Sequence, residues 1–290
     1  MNQSQHTRME RCLMATVRES TTETTANSTV SAEKVQFTLV ENGTIGIVVL
    51  NDPELGNPMS PEMGDQFRAT VERTKTLRNL RAVIVRGAGR HFSVGGHREI
   101  LTGLAEPTMT ETVRHDFMLG FYDKWLSVLD IPVPVIAAIE GDCIGVAPIF
   151  ACASDICVAD ETANFQITFA GLGLYPGMGM SYLLPKLVGA QQTALLMVAG
   201  APFSGKEAFE TGLVARSASK GTVHNEALKI AQQIAANEPT VVRPLTQALR
   251  LKRVELKPAL ESDATRQAES YATAEFRKHI EEYLPNWYAK

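Results

Sequence analysis

Apolar positions recur along this chain in two alternating rhythms. "VQFTLV" (35–40) and "TIGIVVLND" (44–52) are β-branched runs on either side of Asn42-Gly43, the pattern of two strands joined by a turn. From Ser60 the rhythm changes: Met63, Phe67, Val71 and Thr74 fall at helical spacing, with Ser60 placed to cap the helix and Pro61 at its first position. "RAVIVRG" (81–87) is then a short buried strand. The alternation repeats with a helix over about 110–129, a strand in "VPVIAAIEG", a helix starting near Ala147 and a strand in "DICVADE". Strands separated by helices need crossover connections, so a largely parallel sheet is expected. Beyond about residue 178 the pattern is nearly all helical, a layer suited to packing against other subunits.

The first 34 residues do not fit either rhythm. They are rich in Ser and Thr with no sustained apolar run, which predicts a disordered extension rather than a core element or signal peptide. Arg8, Arg11 and Arg18 hint at a transit peptide, and Glu10, Glu19 and Glu23 argue against one. The predicted organisation is this extension (1–34), a core domain (35–220) and a C-terminal helical region (221–290).

Composition narrows the function classes. With 28 Lys and Arg against 32 Asp and Glu, the net charge of -4 offers no basic field for nucleic acid. No apolar run approaches the roughly 20 residues of a membrane span. The four cysteines, Cys12, Cys143, Cys152 and Cys157, have no CxxC spacing, and three sit in apolar text, which fits reduced thiols in a cytoplasmic setting. No His, Cys and carboxylate spacing suggests a metal site.

Two glycine-containing turns carry the candidate chemistry. "FSVGGH" follows the strand at 82–87, and "EGDCIGVAP" follows the strand ending near Ile139; each precedes a predicted helix. Backbone N–H groups at such turns are free to point outward, and two that converge on one oxygen form an oxyanion hole. The plainer reading is that the glycines only permit tight turns.

The order of the segments resembles the enoyl-CoA hydratase/isomerase (crotonase) superfamily over roughly residues 36 to 285. The residues that carry the resemblance are "LNDPELGNPMSPEM", "FSVGG", "VPVIAAIEGDCIGVAPIFACASDICVADETANFQ", "GLGLYPGMGMSYLLPKLVG" and "GAPFSGKEAFETGLVARS". It implies an α/β crotonase-like ββα spiral with a C-terminal helical trimerisation layer, hence a homotrimer. It also implies a substrate held as a thioester on CoA or the phosphopantetheine of an acyl carrier protein, with no other cofactor.

By the same resemblance Gly96 and Val146 supply the two N–H groups, although Val146 stands where the family has the middle glycine of a triplet. The two hydratase glutamates align with Ile149 and Phe169, neither of which can hold and release a proton. Two-glutamate hydration is therefore disfavoured. "GG" and "YPGMGMSYLLPKLVG" are similar to the decarboxylating homologues of polyketide β-branching, which act on glutaconyl-type thioesters. No lysine lies between Gly96 and Lys124, where that group is expected to use one, and Tyr271 stands near the place of its C-terminal histidine. Isomerisation, another enolate reaction, and thioester binding without turnover are the alternatives.

The polar candidates each have two readings. His97 is a general acid or a helix cap, and Arg98 a carboxylate holder or a solvent-facing residue. Tyr175 is a proton donor or a pocket wall. Val94, Ile149, Phe169, Pro176 and Gly177 complete the substrate wall that the resemblance implies. Asp142 is assigned to an Asx turn. Tyr271 and His279 lie on a terminal helix that either reaches the active site of its own or a neighbouring subunit or leaves them on the surface, and Met178 and Met180 are placed in the core.

Overall fold

Val35–Val40 (β1) and Ile45–Leu50 (β2) pair antiparallel, with Val35 opposite Leu50. The structure, a computed structural model, describes residues 33–250 and 253–283. Pro61–Thr76 (α1) follows, with Ser60 Oγ accepting from Met63 N–H at 3.1 Å as the sequence predicts. Next come Ala82–Gly87 (β3), Arg98–Leu104 (α2), Glu111–Leu126 (α3), Val135–Ile139 (β4), Asp142–Ile144 (β5) and Ala147–Cys152 (α4). Ile156–Asp160 (β6), Asn164–Gln166 (β7), Met180–Ala194 (α5), Phe203–Ser204 (β8), Gly205–Glu210 (α6) and Arg216–Ala218 (β9) continue the chain. Val223–Ala235 (α7), Pro239–Leu249 (α8), Arg253–Tyr271 (α9) and Ala274–Tyr283 (α10) end it.

The main sheet has the order β1-β2-β3-β4-β6-β9, parallel throughout except at β1. Its inner strands β2, β3, β4 and β6 are buried on both faces, so they read as continuous apolar runs, whereas the edge strands β1 and β9 are partly exposed. Val83 and Val85 join one core, while Ala82 and Ile84 on the alternate positions join the other. The larger core holds a contact between α1, α3 and α4: Phe67 meets Phe150 edge-on at 5.2 Å between centroids, and Trp125 meets Phe150 at 5.2 Å. Such pairs contribute about 0.5–1.5 kcal/mol beyond their buried area.

Two expectations change. The opposite face of the sheet is covered by α7, whose Val223, Ala227 and Ala231 pack with Ile84 and Ile136, so residue 220 is not a packing boundary. In addition, "DCI" is not merely turn: it is β5, which pairs in parallel with β7, and β7 pairs with β8 in a second, three-stranded sheet. Strands of two or three residues are too short to leave a periodic signal. Helix α9 lies along α3 and brings the C-terminal region onto the core of its own chain. The predicted extension, apart from Glu33 and Lys34, lies outside the described residues, as does Cys12.

Candidate active site

The two glycine turns are held side by side by a short parallel pairing of Ser93 with Cys143. Ser93 N–H donates to Asp142 O at 3.1 Å, and Ser93 O accepts from Ile144 N–H at 3.0 Å. Three residues beyond that pair on each segment stand Gly96 and Val146. The turns touch at Gly95, where φ is +92° and a Cβ would lie 2.7 Å from Ile144 O. Only glycine fits that position.

The amides around Gly96 are otherwise spent. Phe92, Ser93 and Val94 donate to Glu140 O, Asp142 O and Gly56 O, Gly95 to Ser93 Oγ, and His97 to Met59 O. Gly96 N–H has no partner among the described residues. The same holds for Val146 N–H, whereas Ile144 and Gly145 just before it donate to Ser93 O and Gln166 O. Both residues border one narrow chamber of about 40 Å³. Two N–H groups left without a protein partner beside one chamber form a place where an oxyanion would be stabilised.

The chamber wall is otherwise apolar, with Ile100, Leu101, Met118 and Phe121 from α2 and α3 and Phe169 beside them. Among the described residues, Thr168, Tyr122, Gln267 and Tyr271 are its only polar side chains, and no carboxylate, lysine or histidine lines it. Tyr122 Oη donates to Gln267 Oε1 at 2.5 Å, and Gln267 Nε2 donates to Tyr175 O at 3.0 Å. Gly177 makes room for this, since a Cβ there would lie 2.2 Å from Tyr122 Oη.

Asp263, Gln267 and Tyr271 fall at four-residue spacing on one face of α9. Asp263 accepts from Gly179 N–H and Ser181 Oγ, each at 2.9 Å. Desolvation raises its carboxyl to about 6, and those two hydrogen bonds oppose the rise. Desolvation likewise raises the hydroxyls of Tyr122 and Tyr271.

Of the sequence-predicted residues, Gly96, Val146, Phe169 and Gly177 meet at this chamber. His97 does not: it is the N-cap of α2, its Nδ1 accepting from Glu99 N–H at 3.3 Å. Burial lowers its pKa, with Glu99 working the other way, so the neutral ring that a cap acceptor requires is favoured. Of its two expected readings the structure shows the cap, and Arg98, the first residue of α2, is also off the wall. Tyr175 anchors a loop: its N–H donates to Ser270 Oγ at 3.1 Å and its ring lies 5.5 Å from the Arg266 guanidinium carbon. Pro176 is half-buried beside it and off the wall.

Ile149 is fully buried in the core next to Phe150, because α4 turns it away from the chamber. Val94 borders a larger cleft of about 990 Å³ that shares Thr168 with the chamber. Asp142 makes no Asx turn there; it accepts from Asn164 Nδ2 at 2.8 Å and lies 3.1 Å from His91 Nδ1, tying β5 to its neighbours. Met178 and Met180 are buried as expected. Of the two readings of the terminal helix, Tyr271 follows the one that reaches the site, being only 2% exposed and lining the chamber, while His279 does not line it. Tyr122 and Gln267 were not singled out from sequence, although Gln267 and Tyr271 stand one helical repeat apart.

Residues 40–288 match the family model described as "Enoyl-CoA hydratase/isomerase". The chain belongs to the enoyl-CoA hydratase/isomerase family. Within this crotonase family it is 33% identical over 212 residues to a Thermus thermophilus protein named "Putative enoyl-CoA hydratase", covering 73% of this chain and 82% of that one. It is 26% identical over 250 residues to the 1,2-epoxyphenylacetyl-CoA isomerase of Escherichia coli, covering 84% and 93%. The crystal structure of an enoyl-CoA hydratase/isomerase from Xanthobacter autotrophicus Py2 superposes with a TM-score of 0.78 at 25% identity, covering 88% of this chain and 94% of that one. The fold is therefore the α/β crotonase-like fold expected from sequence. Among the described residues, no helix is long and apolar enough to cross a membrane, and no His, Cys and carboxylate cluster could hold a metal ion.

Proposed function

We propose that this family member decarboxylates a short glutaconyl-type acyl thioester carried on CoA or on the phosphopantetheine of an acyl carrier protein. The observation that carries this reading is a chamber bordered by the amides of Gly96 and Val146, which have no partner among the described residues, and lined by no carboxylate, lysine or histidine of those residues. Hydration needs a group that activates water, and no carboxylate, histidine or lysine of the described residues lines the chamber. Decarboxylation needs no such base. Its demands are an electron sink at the thioester oxygen, which the two N–H groups stabilise as the dienolate forms, and removal of the substrate carboxylate from water.

The chamber's small volume favours a short, flat acyl group, and the larger cleft next to it has room for the carrier arm. The similarity of "GG" and "YPGMGMSYLLPKLVG" to the β-branching homologues supports a place in polyketide biosynthesis. The chain forms a homotrimer in this reading, supported by Val241, Leu245 and Leu249, which are 62%, 53% and 77% exposed on one face of α8. Isomerisation of an acyl thioester is the second reading, favoured by the name of the Escherichia coli relative, 1,2-epoxyphenylacetyl-CoA isomerase. Intact-mass analysis of 3-methylglutaconyl thioesters on CoA and on acyl carrier protein tests the proposal. Loss of one carbon dioxide supports decarboxylation and identifies the carrier, and an unchanged mass on both overturns it.

A further inference from the structure

The polar side chains of the chamber are not equivalent. The Tyr122 hydroxyl is committed to Gln267 Oε1 and also receives a hydrogen bond from the Met178 backbone. The Gln267 amide is committed at both ends, to Tyr122 and to Tyr175 O. Tyr271 is as deeply buried, borders the same chamber, and has a hydroxyl that forms no hydrogen bond with any described residue. Its ring is fixed edge-on against Phe276, with centroids 5.0 Å apart and an interplanar angle of 86°. Thr168 also has an unpartnered hydroxyl, but it stands beside Gly145 where the chamber meets the outer cleft, and an alcohol is a far weaker acid than a phenol.

Tyr271 therefore offers the chamber a phenol that no described residue holds, so a bound acyl group can be its hydrogen-bond partner. We infer that Tyr271 is the catalytic acid that protonates the dienolate, a step that rests on the decarboxylation proposed above. When the carboxyl carbon leaves as carbon dioxide, the electron pair of the broken C–C bond passes through the conjugated chain to the thioester oxygen beside Gly96 and Val146. As that pair returns, the Tyr271 O–H bond breaks and a C–H bond forms at the α or γ carbon. The phenolate left behind takes a proton from water as product departs. A fixed donor delivers its proton to one carbon, so Tyr271 also determines where the product double bond lies.

The test compares wild type with Tyr271→Phe on the 3-methylglutaconyl thioester in D2O, following carbon dioxide release, KM and the position of deuterium. Wild type should give one product isomer. Tyr271→Phe should melt like wild type, lower kcat by about 100-fold or more, leave KM within about threefold, and give a mixture of α- and γ-deuterated products. Fluorotyrosine at position 271 retains a hydroxyl and should restore the single isomer, which keeps the inference testable if Tyr271→Phe fails to fold. A variant with wild-type kcat and isomer ratio overturns the role of Tyr271 while decarboxylation stands. A rise in KM alone also overturns it, making the residue a binding contact. Absence of carbon dioxide from wild type overturns decarboxylation first, and the acid role with it.

Discussion

Tyr122 and Gln267 meet across α3 and α9 at 2.5 Å, in space that exists because Gly177 has no side chain. A methyl group on Gly177 would stand 2.2 Å from Tyr122 Oη and 2.6 Å from Gln267 Oε1. Gly177→Ala is therefore expected to lose about 2–4 kcal/mol, combining overpacking with a broken buried hydrogen bond. Urea unfolding of Gly177→Ala, Tyr122→Phe and the double variant measures this. The two changes should couple by about 1 kcal/mol or more, and simple additivity would mean that the clash lies elsewhere.

Asp263 and His97 give stability opposite pH dependences. The folded Asp263 carboxyl, at about 6 against 3.8 when free, binds its proton more tightly in the folded protein. Its stabilising contribution is full below the free value and is lost as pH rises through about 6, by ~3 kcal/mol at most. Asp263→Asn should flatten that fall in urea titrations between pH 4 and 7. His97, lowered by burial, contributes above its free value, and that part is lost as pH falls through its folded pKa.

His97→Asn should keep both the α2 cap and turnover, whereas His97→Ala should cost about 1 kcal/mol through loss of the cap. Thermal melts and thioester turnover distinguish the two roles. A hundredfold loss of kcat in both variants, with folding intact, would return His97 to the chemistry.

Arg250 fixes the end of α8 to the edge of the core. Its Nε and Nη2 hold Asp155 at 2.7 Å and 2.5 Å, Nη2 also reaches Val133 O at 2.8 Å, and Nη1 donates to Leu129 O and Ile131 O. Removing one partner leaves a largely buried carboxylate and several carbonyls unpaired. Arg250→Ala should lose about 3–5 kcal/mol in denaturant unfolding, and a loss below 1 kcal/mol would show that water replaces the guanidinium.

The main strands and α1 were legible in the sequence because burial on both sheet faces and the Ser60 cap leave strong local signals. The two glycine turns were legible through Gly95 and Gly145, both at positive φ, with Gly95 also pressed against Ile144 O. The chamber's polar wall was not. Tyr122, Gln267 and Tyr271 come from two helices far apart in the chain, and only the packing of α9 along α3 brings them together. The sequence left His97 between acid and cap, because only the fold shows its Nδ1 bonded to Glu99 N–H.

Gly96→Pro tests the central claim most directly. It removes the unpartnered N–H but spares the flanking pairing, which uses Gly95 O and His97 N–H with Met59. Carbon dioxide release from the 3-methylglutaconyl thioester should fall by about 100- to 1000-fold in a variant that melts like wild type and still binds the thioester. Release within threefold of wild type would contradict the assignment of Gly96 to the oxyanion site.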